Sequence, residues 1–269
     1  MAQQKLSRAK RTMKKIGKKT AKKAVKKTVE QPGANEVLRS LEKLSNKRIR
    51  DELLPRYGIH AKKAFGIGMA SIHELARKIG RSHELALSLW QTGWYEARLL
   101  AAFVDEPLEV TSAQMDQWCR DFDNWGIVDT VCFKLFDKTP FAFPKVAQWA
   151  KRKAEFEKRA AFALLASLSV HDKKAPTDAF LRCLPLIEQA ASDDRNFVKK
   201  GVSWALRTVG RRNDELHHEA VELSLRLSES AIATERWIGK TALKELTSAA
   251  VTSRLKARQT VKSKRKSRS

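Results

Sequence analysis

The 269-residue chain has few of the residues that build disulfide frameworks, zinc sites or membrane spans. Its three cysteines, Cys119, Cys132 and Cys183, are an odd number without a C-x-x-C pair. A zinc site needs four closely spaced ligands, so we expect neither zinc nor a disulfide framework, but buried reduced thiols. No stretch approaches the roughly 20 apolar residues that cross a bilayer, and the charged N-terminus lacks a secretion signal's apolar core. We therefore expect a soluble, cytoplasmic, monomeric protein without a membrane partner.

Turn formers and strand patterns are also scarce. The chain has 11 glycines and 7 prolines, and most prolines fall between or at the starts of periodic apolar runs. Apolar residues recur at helical spacing, as in Leu85, Leu89, Leu100 and Val104. The G-x-G at Gly66 follows no strand, so it indicates a turn, not a dinucleotide site. The sequence therefore predicts an all-α fold.

Acidic residues are absent from both ends of the chain, which carry most of the net charge of +24. Residues 1–29 contain 12 Lys/Arg, residues 254–269 contain eight, and the intervening body has 34 basic and 30 acidic residues. We predict disordered basic tails at 1–33 and 251–269 around a folded domain at 34–250. Such tails attract phosphate without reading sequence, or they only solubilise the protein. The N-terminal candidates for DNA binding are Lys14, Lys15, Lys18, Lys19, Lys22 and Lys23.

A weak internal repeat places a charged residue before small and apolar residues. The copies are EARLLAAFV from Glu96, EKRAAFALL from Glu157, VKKGVSWAL from Val198 and ERWIGKTAL from Glu235, and WGIVDTVCF from Trp125 fits the long first gap. The charged heads of the first four copies are spaced by 61, 41 and 36 residues. Periods near 30–45 residues with two helices per unit are typical of a HEAT-type helical solenoid, whose equivalent helices line one concave surface.

The repeat predicts a basic inner face with one carboxylate in it. We expect Arg98, Arg159, Lys199, Lys200 and Arg236 to lie along this face, spaced to follow a phosphate backbone. The alternative is that each cation completes an ion pair within its own repeat. Among these cations the corresponding position of the Trp125 copy is acidic, since it carries Asp129.

Two tryptophans accompany this carboxylate. Trp125 lies four residues before Asp129, so the two share one helix face, and Trp204 follows the Lys199–Lys200 pair. Indole faces offer contact area to a sugar and attract a cationic base, while a fixed carboxylate stabilises an oxocarbenium-like sugar cation. The other interpretation is that the tryptophans belong to the core and that the aspartate is solvated or paired.

Several segments make the chain resemble the AlkD-like DNA alkylation repair family over about residues 50–245. They include HELALSLWQTGWYEARLLAAFVDEP, MDQWCRDFDNWGIVDTVCF and DDRNFVKKGVSWALRTVGRRN. The resemblance implies HEAT-like repeats and excision of cationic alkylated purines from double-stranded DNA without base flipping, with no cofactor. It further implies a catalytic role for Asp129 and lesion-binding roles for Trp125, Trp204 and Arg159. The tyrosine that the family's glycosylases carry on an early helix aligns near Ile49.

Our leading hypothesis is therefore a DNA glycosylase. The alternatives are a noncatalytic protein that binds DNA structures through the same groove and a HEAT-type protein-interaction scaffold. If the source is bacterial, DNA binding places the protein at the nucleoid. His171 and the His217–His218 pair lack a third partner at ligand spacing, so we expect helix-end histidines and no metal.

Overall fold

The computed structural model describes the backbone of residues 31–266 and the side chains of residues 31–257. The six N-terminal lysines singled out above lie outside the described residues. Within those residues the chain is helical, without strands, and a 3-10 turn occupies Phe136–Lys138. The helices are α1 (Ala34–Lys43), α2 (Lys47–Tyr57), α3 (Met69–Ile79), α4 (His83–Gln91), α5 (Tyr95–Val104), α6 (Ser112–Arg120), α7 (Trp125–Lys134), α8 (Ala142–Trp149), α9 (Glu155–His171), α10 (Thr177–Leu181), α11 (Leu184–Ala190), α12 (Asn196–Gly210), α13 (Asp214–Ser228), α14 (Ala233–Leu246) and α15 (Ala249–Lys266).

Local sequence fixes where many of these helices begin. Five of them start after an Asn, Ser or Thr whose side chain accepts a hydrogen bond from a backbone N–H of the first turn, which has no partner within the helix. These residues are Asn46, Ser82, Thr111, Asn124 and Asn213. Asn124 matters most for the site, because its side chain accepts from Ile127 N at 3.0 Å and so sets the start of α7.

The five repeat copies form one layer of helices. They lie on α5, α7, α9, α12 and α14, and each of these helices contacts the next. Other helices pack against this layer: α4 contacts α5, α8 contacts α9, and α13 contacts both α12 and α14. Buried apolar side chains of both layers form a continuous core. The predicted all-helical repeat architecture is confirmed for the described residues.

A buried carboxylate holds the connection between α2 and α3. Glu96 of α5 is fully buried, and its side chain accepts hydrogen bonds from the backbone N–H groups of Phe65 at 2.9 Å, Gly66 at 2.7 Å and Ile67 at 3.2 Å. Gly66 has φ +78°, and a Cβ there would clash with the Asn46 carbonyl oxygen. The turn expected at Gly66 is therefore a folded loop that depends on glycine.

The C-terminal segment differs from the expected disordered tail, because helix α15 continues to Lys266. Val251 and Leu255, one turn apart, are buried, and α15 contacts α14. This apolar anchor explains why a segment rich in like charges continues as a helix, and the expectation of disorder from residue 251 is corrected for residues up to 266.

The three cysteines are free and buried, as predicted. Burial raises the pKa of the Cys119 and Cys132 thiols well above the usual value and that of Cys183 to about 11. None of the helices within residues 31–266 is both long enough and apolar enough to cross a bilayer.

Candidate functional site

A cleft of about 490 Å³ opens where four helices of the inner layer meet the end of α2. We call it the Asp129 cleft. Trp125 and Asp129 come from α7, Arg159 from α9, and Trp204 from α12. The other lining residues are Arg56, Tyr57, Phe197, Lys200, Ser203, Arg207 and Trp237. The structure therefore brings together the carboxylate, both indoles and Arg159, which the sequence analysis had singled out.

Asp129 is held in a fixed orientation by Arg159. The guanidinium donates from Nε to one carboxylate oxygen at 3.0 Å and from Nη2 to the other at 2.8 Å. Arg159 is itself buried, and its Nη1 donates to the carbonyl oxygen of Phe197 at 2.8 Å. This bidentate pair on three packed helices allows the carboxylate little freedom to rotate.

The Asp129 side chain is 22% exposed, on the side that lines the cleft. Burial raises the pKa of this carboxyl above its ordinary value, while the charge and hydrogen bonds of Arg159 oppose the shift. A carboxylate with so little water around it gains strongly from any further positive charge that forms beside it. The local chemistry thus favours an anion that meets a developing cation.

The two indoles belong to the walls of the cleft. Trp125 is half-buried, and its Nε1 donates to the carbonyl oxygen of Tyr57 at 2.8 Å, which joins α7 to the end of α2. Trp204 stacks on Phe133, with ring centroids 5.1 Å apart and planes inclined by 7°. Both rings are positioned by neighbours while part of their surface remains in the cleft.

The five cations of the expected basic row do not share one cleft. Arg159 and Lys200 line the Asp129 cleft. The ammonium of Lys199 lies 5.7 Å from the ring centroid of Trp237, which also lines this cleft. Arg98 instead donates to the carbonyl oxygen of Asp121 at 3.1 Å and lies over the Trp90 ring. Arg236 donates to the carbonyl oxygens of Ser230 and Ala231 at 2.8 and 2.6 Å.

Arg98 and Arg236 thus do not line the Asp129 cleft, and the expectation of a single basic row along the inner face stays a prediction. Their long side chains turn back to nearby carbonyl groups, because a repeat fixes the helix face of the Cα atom but not the direction of a flexible side chain. Arg98 lines a separate cleft of about 210 Å³ with Lys62 and Lys63. Whether these two arginines contact DNA stays a prediction.

Several lining residues escaped the sequence analysis. Arg56 and Tyr57 lie at the end of α2, which the repeat pattern did not include. Tyr57 brings a phenol into the cleft, although the family's tyrosine aligns near Ile49 and not with Tyr57. Trp237 is 42% exposed on α14. Trp237 directly follows the repeat cation Arg236, and this position could have indicated from the sequence that Trp237 belongs to the site. An exposed tryptophan beside a repeat cation is typical of a binding surface.

The histidines show local contacts. His171 ends α9 and lies with Nδ1 2.5 Å from Asp137, and His217 Nδ1 lies 3.0 Å from the carbonyl oxygen of Gly210. Among the residues that the structure describes, no group of three His, Cys, Asp or Glu side chains is arranged to hold a metal ion.

Comparison with known proteins places this cleft in context. A family model described as DNA alkylation repair enzyme matches residues 37–246. A solved structure described as a new family of proteins related to the HEAT-like repeat DNA glycosylases, with affinity for branched DNA structures, has a TM-score of 0.66 and 19% identity. That match covers 78% of this chain and 93% of the other chain. No curated protein matches the chain. The HEAT-like repeat fold and the family resemblance predicted from the sequence are both confirmed.

Proposed function

Because this chain belongs to the DNA alkylation repair enzyme family, we propose that it is a DNA glycosylase that hydrolyses the N-glycosidic bond of cationic alkylated purines in double-stranded DNA. The observation that carries the proposal is the desolvated Asp129 carboxylate, fixed between two partly accessible indoles in a cleft whose other charged residues are all cationic. A carboxylate repels a phosphate backbone, so its position in this cleft favours a role toward a cation over a role in phosphate binding.

Binding begins with the cations of the cleft. Lys200 is exposed, and Arg56 and Arg207 also line the walls, so phosphates on either side of a lesion have partners. Trp125 and Trp204 then contact the deoxyribose and the positively charged base, since an aromatic face attracts a cation. As the family resemblance implies, the lesion is recognised in this proposal without base flipping, and an open cleft with exposed wall residues such as Lys200 is compatible with that.

The chemical step uses the charge of the lesion. The bond between C1′ and the purine nitrogen breaks with its electron pair, which neutralises the alkylated base, and positive charge develops on the sugar. In this proposal Asp129 stabilises that charge and orients a water molecule. The water oxygen bonds to C1′ and its proton passes to solvent. Arg159 is a positioning residue, because it keeps both carboxylate oxygens in place.

The test measures base release from methylated duplex DNA under single-turnover conditions. Asp129→Asn keeps the size of the side chain and one acceptor for Arg159, so we expect a folded protein with at least a ~10²-fold slower release, as for loss of one electrostatic contact to a transition state. Asp178→Asn is the matched control, since Asp178 is an exposed aspartate outside the cleft. No release by the unmodified protein, or equal release by Asp129→Asn, would refute the assignment.

A second candidate function is noncatalytic binding of DNA structures. It is favoured by the affinity for branched DNA that is attributed to the structural relative, whose chain is covered almost completely. Tighter binding of a three-way junction than of a linear duplex of equal length, together with no base release, would support this function. Release from the linear duplex that depends on Asp129 would select the glycosylase.

A further inference from the structure

A third cleft of about 770 Å³, larger than the Asp129 cleft, lies at the other end of the inner helices. It forms where α9 and α12 end, and the start of α10 and one side of α15 complete it. We call it the Arg254 cleft. Four cations, Lys173, Arg211, Arg212 and Arg254, are among its described lining residues, and no carboxylate is among them.

The four cations stand in different surroundings. Arg254 and Lys173 are exposed. Arg212 is fixed, because its guanidinium lies 4.3 Å from the Phe180 ring centroid and donates to the carbonyl oxygens of Ser169 and Ala175. Burial lowers the pKa of Arg212, and the charge of Asp172 opposes that shift. A cation in this position is stabilised by an anion that enters the cleft.

The Arg254 cleft is linked to the Asp129 cleft along one helix. Lys200, Trp204, Arg207 and Arg211 follow each other at intervals of four, three and four residues, so they lie on one face of α12 and its C-terminal extension. At a rise of about 1.5 Å per residue, this stripe is roughly 16 Å long. The first three residues line the Asp129 cleft, and Arg211 lines the Arg254 cleft.

One carboxylate serves both arginines of the stripe. Glu245 of α14 accepts from Arg207 at 2.5 Å with one oxygen and from Arg211 at 2.6 Å with the other. Glu245 thus contacts both guanidinium groups of the stripe. Beyond Arg211, the backbone of α15 continues to Lys266, and its sequence from Arg254 onward carries cations and no acid.

We propose that the Arg254 cleft binds the phosphodiester backbone of the DNA that flanks the site in the Asp129 cleft. The stripe on α12 connects the two clefts over the rise of about five base pairs, at 3.4 Å per pair. Lys173 and Arg254 supply exposed positive charge, while Arg211 and Arg212 supply positive charge held by contacts within the protein. The inference rests on the DNA binding proposed above, but not on catalysis.

The test compares two double variants of the full-length protein. Lys173→Gln/Arg254→Gln removes two exposed cations from the Arg254 cleft. Arg39→Gln/Lys43→Gln removes the same charge from exposed positions on α1, outside all three clefts. Binding of fluorescein-labelled linear duplexes of about 30 and about 10 base pairs is measured by anisotropy over a series of salt concentrations.

We expect the Arg254-cleft variant to bind the longer duplex about 10-fold or more weakly near 0.1 M salt. Its log–log salt slope should fall by about 2, since each lost phosphate contact removes about 0.9. The α1 variant should bind both duplexes with nearly the affinity and salt slope of the unmodified protein. The Arg254-cleft variant should bind the shorter duplex with little change in affinity. Equal slopes for the two variants on the longer duplex would overturn the proposal, and so would an equal loss on the short duplex.

The outcomes separate this inference from the glycosylase assignment. A reduced slope in a protein that releases no base supports the Arg254 cleft and defeats the glycosylase. If the unmodified protein releases base but the Arg254-cleft variant keeps its salt slope, the glycosylase assignment is supported and the Arg254-cleft proposal is defeated. If the unmodified protein binds neither duplex, both fail.

Discussion

Replacement of Glu96 tests whether one buried carboxylate holds the loop that leads to the cleft. Glu96 is fully buried and its two oxygens accept from three consecutive backbone N–H groups. The same loop is tied to its surroundings by the Phe65 carbonyl, which accepts from Asn46 N at 3.0 Å. The loop follows the end of α2, where Arg56 and Tyr57 enter the cleft, so its loss should affect both stability and DNA binding.

The magnitude follows from the number of donors. Glu96→Ala leaves three buried N–H groups without an acceptor, and each costs roughly 1–3 kcal/mol, so we expect the free energy of unfolding to fall by at least about 3 kcal/mol. Glu96→Gln retains one oxygen for Gly66 and Ile67 but turns an amide N–H toward the N–H of Phe65. Its cost should be smaller, about 1–3 kcal/mol for the one repelled donor.

Urea unfolding followed by far-UV circular dichroism measures both changes. The control is Glu42→Ala, because Glu42 is an exposed glutamate on α1, and its free energy of unfolding should stay within about 0.5 kcal/mol of that of the unmodified protein. A loss below about 1 kcal/mol for Glu96→Ala, or equal losses for Ala and Gln, would show that the loop does not depend on this carboxylate.

Two further predictions concern charge and aromatic contact. Hydrogen bonds from Arg195 and from Lys158 hold the pKa of Asp193 well below its usual value, so the stabilisation is complete above about pH 4 and is lost as the pH falls further. Urea unfolding should therefore show that Asp193→Asn destabilises the protein at pH 7 and that the difference narrows toward pH 2; a constant difference would contradict this. Trp237→Ala should weaken duplex binding by about 1–3 kcal/mol, the range of aromatic contacts to nucleic acids, with little change in Tm because 42% of the residue is exposed. Leu225→Ala, an exposed apolar residue on α13, is its control, and equal Kd values for the two variants would exclude a role for the indole.

The inner layer of the fold could be predicted because its signal is local. Five similar segments with small residues after a charged head correspond to five contacting helices, since helix packing needs small or apolar residues at regular intervals. The C-terminal helix could not be predicted in the same way. Only Val251 and Leu255 oppose a long run of like charges, and their effect depends on packing against α14, which no local pattern displays.

The candidate site was predictable where residues share a helix face and unpredictable where they meet through the fold. Trp125 and Asp129 are one turn apart, and Arg159 and Trp204 follow in later copies of the repeat. Tyr57 of α2 reaches the same cleft although it lies 68 residues before Trp125 in the chain, and the Trp125 indole N–H donates to its backbone carbonyl oxygen. Such long-range contacts leave no periodic signal in a single sequence.

The burial of all three thiols gives the chain a practical property. Cys119, Cys132 and Cys183 are inaccessible, and their raised pKa values leave almost no thiolate to react at neutral pH. A cysteine introduced on the surface would therefore react selectively with a maleimide dye in the native protein. Dyes placed one at a time around the Asp129 and Arg254 clefts, with a second on the end of a duplex, would report by energy transfer on the path that bound DNA follows.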